Sequence, residues 1–225
     1  MQRLRVRFAK RDRLRFTSHR DFQRAFERAL RRAGVPVAFS HGFTPHPKVS
    51  YAGAAPTGAA SEAEYLEIAV TEVCDPAVVA AALDDALPPG LDVVTVVEAD
   101  GGSIADRLEA SEWRIVLPES DPAAVAAAVR AFAAAGAVEV QRMTKKGMRT
   151  MDARTAVVRI EALDERPPGV RMVVRHQTPT IRPDDVLAGL RRVAELPGGE
   201  AYLASRLAQG PLDETNGTVG DPLAR

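Results

Sequence analysis

The chain has 225 residues, is 46% hydrophobic and 27% charged, and carries 30 Lys+Arg against 30 Asp+Glu. That is ordinary for a globular protein that can bury one large core or two small ones. No apolar run approaches the roughly 18 residues that span a bilayer, and the N-terminal charge is not followed by the apolar stretch of a signal peptide, so no membrane partner and a cytoplasmic location are expected. A single cysteine, Cys74, excludes an internal disulfide and an iron–sulfur cluster ligated by this chain alone.

Leu4–Phe8 alternates apolar and basic residues and reads as a strand. Ser18 is a good N-cap with Asp21 at N3, and Gly34 stands where a left-handed residue ends a helix, so a helix is predicted over 19–33. Phe22, Ala25, Phe26, Ala29, Leu30 and Ala33 fall on one arc of it, and Arg20, Arg24, Arg28, Arg31 and Arg32 on another. A short strand over Val35–Phe39, a long loop over 40–63, a strand over Tyr65–Val70, a helix from Asp75-Pro76 to about Leu87 and a strand over Leu91–Val97 follow. This βαββαβ order is that of a ferredoxin-like unit, a four-stranded antiparallel sheet with two helices on one face, over residues 1–98. Residues 99–111 read as a linker with one short helical turn.

The second half begins the same way. A strand over Trp113–Leu117, an Ala-rich helix from Asp121-Pro122 to Gly136, a strand over Ala137–Arg142, a hairpin of Thr155–Ala162 with Val170–Val174, and a helix over Pro183–Glu195 give βαβββα without a final strand. The expected fold class is therefore α+β, with two tandem ferredoxin-like units, the second degenerate and spanning 112–197. The Gly- and Pro-rich residues 198–225 read as a C-terminal tail, partly disordered beyond about Gln209.

Charge is unevenly placed. Residues 1–50 hold 13 Lys+Arg and 3 Asp+Glu, whereas residues 51–100 hold 10 Asp+Glu and no Lys or Arg. Such a polarised chain can use opposite charges to hold itself together or can present a basic face to an anion such as RNA. Asp21 and Glu27 are too few to neutralise the five arginines of the first helix, and Lys145, Lys146 and Arg149 form a second basic element far along the chain.

The loop over 40–63 exceeds the length that compact domains ordinarily spend on a connection. It contains His41, Phe43, His46, Lys48 and Tyr51, residue types that stack on bases, contact phosphate or exchange protons. His41 and His46 lack the further ligands of a zinc site, so no metal and no cofactor are expected.

The run RVRFAKRDRLRFTSHRDFQRAFERALRRAGVPVAFSHGFTPHPKVSYA, followed by APTGAASEAEYLEI, resembles the bacterial radical-SAM-linked family, found free or joined to a B12-binding-type radical SAM protein. The KKGMRTMDAR segment matches in character. The chain departs from the family pattern at Arg20, where an apolar residue is usual, and at Ala55-Pro56-Thr57-Gly58 in place of a Leu-Pro-Leu-Gly-like segment. The resemblance implies a radical SAM protein as partner, and the CxxxCxxC cluster motif of such enzymes is absent here.

Two functions of different class follow. In the first, the protein is a non-catalytic module that binds RNA and presents it to a radical SAM enzyme or to RNA-processing machinery. Arg20, Arg24, Arg28, Arg31, Lys48, Lys145, Lys146 and Arg149 then contact phosphates, and Phe43, His46 and Tyr51 meet unpaired bases. In the second it is a metal-independent RNA endonuclease in which His19, His41 and His46 supply the general acid and base. A protein-interaction adaptor docking through the acidic 62–100 segment is a third reading. No P-loop, dinucleotide fingerprint or Ser/His/Asp ordering is present.

Overall fold

The computed structural model describes residues 1–145, 147–194, 196 and 201–224. The fold is α+β, and the chain divides into two compact units: Met1–Leu108 with Asp221–Arg225, and Glu109–Gly220. Among the described residues no helix is long and apolar enough to cross a membrane.

The first unit contains β1 (Gln2–Lys10), α1 (His19–Arg32), β2 (Val49–Ala52), β3 (Ala60–Val70), α2 (Pro76–Ala86) and β4 (Leu91–Glu98). Its strands lie in the order β4-β1-β3-β2, all neighbours antiparallel. Alternation along β1 sends Leu4, Val6 and Phe8 to the helical side, where they join Leu66, Ile68 and Val70 of β3, Phe26 and Leu30 of α1 and Leu83 of α2 in one core. The Phe8 and Phe22 rings stack with centroids 4.5 Å apart. On the opposite face Ala63 and Tyr65 pack with Ile104, Leu108 and Leu223.

Two expectations for this unit change. The segment Val35–Phe39 is not a strand: Pro36 offers no N–H, and the Val37 N–H turns back to the Val35 carbonyl at 2.7 Å, leaving only single bridges at Val37 and Phe39. The second strand lies instead at Val49–Ala52, inside the expected loop, because Val49 and Tyr51 alternate toward the core. In addition β3 starts at Ala60 and takes in the acidic Ser61–Glu64 stretch. Buried Glu64 is accommodated there because its carboxylate accepts the Ala55 N–H at 3.2 and 3.3 Å.

Residues 99–111 contain a 3₁₀ turn, Ile104–Arg107, capped by Ser103, with Ile104 buried. The second unit follows with β5 (Ala110–Val116), α3 (Pro122–Ala134), β6 (Glu139–Thr144), β7 (Gly147–Asp152), β8 (Val157–Leu163), β9 (Gly169–Arg175), α4 (Pro183–Val193) and β10 (Leu203–Gly210). The antiparallel sheet order is β10-β5-β9-β8, while β6 and β7 form a separate hairpin. Strand β7 was not anticipated, since its exposed polar residues carry no periodic signal.

The final strand absent from the sequence reading is β10. Its inward positions include Arg206, which is 3% exposed; the guanidinium lies 5.6 Å from the Trp113 ring and donates to Gln209 at 2.8 Å. The residues past Gln209, expected to be partly disordered, form a short antiparallel ladder of Leu212–Asp213 with Thr218–Val219, with Gly217 at φ 61° in the connecting turn. Their glycines serve turn geometry rather than disorder.

Candidate nucleic-acid interface

The basic N-terminal segment and the acidic segment that follows it partly cancel, and strand pairing decides which cations are consumed. Buried Arg5 donates from Nε to Glu67 at 2.9 Å and also pairs with Asp100, while its other nitrogen reaches the carbonyls of Gly101 and Gly102 at 2.6 and 3.2 Å. Arg11 bridges Glu62 and Asp92, and those carboxylates hold its guanidinium pKa above the usual range. Arg7 donates to the Glu62 carbonyl at 2.9 Å. Three cations of β1 and its end, Arg5, Arg7 and Arg11, thus stitch the sheet.

Those of α1 do not. The Ser18 hydroxyl accepts the Asp21 N–H at 3.2 Å and donates to the Asp21 carboxylate at 2.6 Å, fixing the helix start. At the other end Gly34, at φ 65°, closes a Schellman turn in which the Val35 N–H reaches the Leu30 carbonyl at 3.1 Å and the Gly34 N–H that of Arg31 at 3.2 Å. Between these caps Phe22, Phe26, Ala29 and Leu30 are buried, and that packing fixes the rotation of the helix. Arg20, Arg24, Arg28, Arg31 and Arg32 all face solvent. Arg32 donates to the Asp85 carbonyl at 2.9 Å; the other four make no ion pair with a described residue.

The His/Pro segment is a closed tip rather than an open coil. The Ser40 N–H donates to the His46 carbonyl at 2.8 Å and the His46 N–H returns to the Ser40 hydroxyl at 3.0 Å. Everything between projects outward: His41, Phe43 and His46 are exposed, Phe43 entirely so. Neither histidine side chain hydrogen-bonds a described residue.

His19 and Tyr51 have a different environment. Their rings meet edge to face at 5.2 Å, Tyr51 packs likewise on Phe22 at 5.8 Å, and His19 Nε2 lies 3.1 Å from the Gln23 amide. Both line a recess with Lys10, Thr17 and Glu64, whose volume of about 30 Å³ holds about one water. The Tyr51 hydroxyl is buried without a hydrogen-bond partner among the described residues, and burial together with Glu27 pushes its pKa up. Tyr51 is therefore half core residue, not an open stacking platform, and no described contact brings His19 to His41 or His46.

Lys145 and Arg149 sit exposed at the end of the β6–β7 hairpin beside exposed Met143 and Met148; Lys146 lies outside the described residues. Among the described residues no group of three or more His, Cys, Asp or Glu could hold a metal ion. Sequence reasoning passed over Arg3, which is exposed and makes no ion pair with a described residue. Alternation along β1 puts Arg3 and Arg5 on the same face and gives no signal that separates the exposed cation from the buried one.

The chain belongs to the bacterial family described as "Uncharacterized protein conserved in bacteria (DUF2344)", whose model matches residues 3–183. No curated protein matches it. Among solved structures it is similar to "Crystal Structure of an Unknown Protein from Galdieria sulphuraria", at 18% identity over 91% of this chain and 96% of that one, with a TM-score of 0.27.

Proposed function

We propose that this protein is a non-catalytic RNA-binding module of the cytoplasm that presents its RNA to a radical SAM enzyme or to RNA-processing machinery. The observation that carries the reading is the partition of charge: Arg5 and Arg11 are consumed by carboxylates, while Arg20, Arg24, Arg28 and Arg31 remain in solvent on one face of a capped helix. Neutralising a phosphate chain is the natural use of such a face. The exposed Phe43 supports contact with unpaired bases, which stack on aromatic rings without regard to sequence. The radical SAM partner is what the resemblance of residues 3–70 to the radical-SAM-linked family implies.

The same proposal takes the protein as two tandem ferredoxin-like units. Strand orders β4-β1-β3-β2 and β10-β5-β9-β8 support this, since each places the first strand of its unit between the third and the last. In the second unit the β6–β7 hairpin is then an insertion that carries basic residues at its end. The acidic segment, by contrast, spends Glu62, Glu67, Asp92 and Asp100 on internal pairs, which weighs against an adaptor docking through it.

The test is equilibrium binding of a single-stranded RNA as a function of salt. Replacing Arg20, Arg24 and Arg28 together by Gln should weaken binding and reduce the magnitude of the log–log salt slope by about 0.7 per lost phosphate contact. Unchanged affinity with an intact fold would remove this face as the site.

A further inference from the structure

The sheet face turned away from α1 and α2 bears a second basic feature. Register places Arg3 of β1 opposite Ala69 of β3, and the Ala69 N–H donates to the Lys48 carbonyl at 3.0 Å just before β2. Strands are spaced about 4.8 Å apart, so Arg3 and Lys48 flank the Ala69 methyl with backbones about 10 Å apart. Directly paired residues share a face, so both cations rise from the same side of the sheet. In the next row Arg5, Glu67 and Ser50 are paired in the same manner.

Arg3, Lys48, Ser50, Glu67 and Ala69, together with Ser40 and His46, line an open groove of about 450 Å³, within the roughly 300–1,000 Å³ range of small-ligand clefts. Its one carboxylate, Glu67, already accepts the Arg5 Nε–H at 2.9 Å. Neither Arg3 nor Lys48 forms an ion pair with a described residue. The groove is thus left with two uncompensated cations over a methyl floor. Ser40 and His46, the two ends of the loop tip that carries Phe43, form its rim.

We propose that this groove seats a phosphodiester of single-stranded RNA between Arg3 and Lys48, with an adjacent unpaired base stacked on Phe43. The inference deepens the RNA-binding reading and rests on it. It adds a contact on a different face of the first unit from the α1 arginines, made by residues that the α1 face does not involve. The proposed contacts are to a phosphate and to the face of a base, which carry no sequence information, so the probe is a labelled oligouridine.

Binding is measured against salt for the wild-type protein, for Arg3→Gln with Lys48→Gln, for Phe43→Ala, and for the charge-preserving Arg3→Lys with Lys48→Arg. A control removes two exposed cations of the second unit, Arg130→Gln with Arg192→Gln. The groove variant should bind on the order of tenfold more weakly at low salt, with the slope magnitude lower by about 0.7 per cation removed. The charge-preserving variant should retain most of the affinity. Phe43→Ala should weaken binding at an unchanged slope, and oligomers carrying 4-thiouridine should cross-link to the 40–48 peptide. Wild-type affinity in the groove variant, or an equal loss in the control, would overturn the groove while leaving the α1 reading standing if its arginine variant still binds poorly. Failure of the wild-type chain to bind oligouridine at any salt would overturn both.

Discussion

Arg5 Nε and the Glu67 carboxylate meet at 2.9 Å across β1 and β3, with Arg5 only 1% exposed. A buried pair of this kind adds little over a well-packed apolar pair, but breaking it from one side strands a charge. Arg5→Met leaves Glu67 buried without its partner and should destabilise the protein by about 3–5 kcal/mol in urea unfolding. Adding Glu67→Met to that variant should restore most of the loss. If the double variant is as unstable as the single one, the penalty comes from lost packing and not from an uncompensated carboxylate.

The same network sets a pH response. Arg107 donates to Asp100 at 2.9 Å, and this bond, with a further contribution from Arg5, holds the Asp100 carboxyl below its usual range. A depressed carboxylate stabilises the fold above its unfolded pKa of about 3.9, and that contribution disappears as pH falls through the folded value. Carboxyl NMR titration should therefore place Asp100 below an unperturbed Asp, and Arg107→Gln should move its midpoint upward. An unmoved midpoint would show that Arg107 is not the cause.

Gly189 lies inside α4, where glycine is ordinarily about 1 kcal/mol worse than alanine. Here a Cβ would stand 2.8 Å from Phe132 Cε2 and 3.0 Å from Val138 Cγ1. Both neighbours are buried, so the usual gain should reverse: Gly189→Ala is expected to lose about 1–3 kcal/mol by overpacking. Combining it with Phe132→Leu should recover part of that in thermal or chemical unfolding. A stabilised Gly189→Ala protein would place α3 and α4 farther apart than described.

What the sequence discloses about this fold depends on how local its causes are. The ends of α1 are written in Ser18, Asp21 and Gly34, each acting within a few residues, and both caps form as expected. Strand β10 was hidden because its buried Arg206 is tolerable only beneath Trp113 and beside Gln209, a context that exists after folding. The displacement of β2 has a similar origin, since Val-Pro-Val over 35–37 looks extended until the bend at Val37 is known. For the interface, composition revealed the excess of cations but not their division. Only the fold shows that Arg5 and Arg11 are consumed by carboxylates of β3, β4 and the residues after β4, and that Arg3 makes no ion pair with a described residue.

The loop histidines separate a binding module from a nuclease. A general acid or base must reach the reacting proton and usually has a group that orients it, yet His41 and His46 sit on an exposed tip with side chains that bond to no described residue, and His19 lies apart in the Tyr51 recess. The expected result is that purified protein leaves a defined RNA intact with chelator present. His46→Gln should then lower affinity by at most about 1–3 kcal/mol, the worth of a stacked base, because there is no turnover to lose. A nuclease would behave in the opposite way: His41→Gln or His46→Gln would cost about 10²–10⁴ in rate while affinity stayed nearly constant, since proton transfer matters mainly in the transition state. Single-turnover cleavage and equilibrium binding measured on the same variants decide between them. Metal-independent cleavage that vanishes in a His46→Gln protein still able to bind would replace the module with an enzyme.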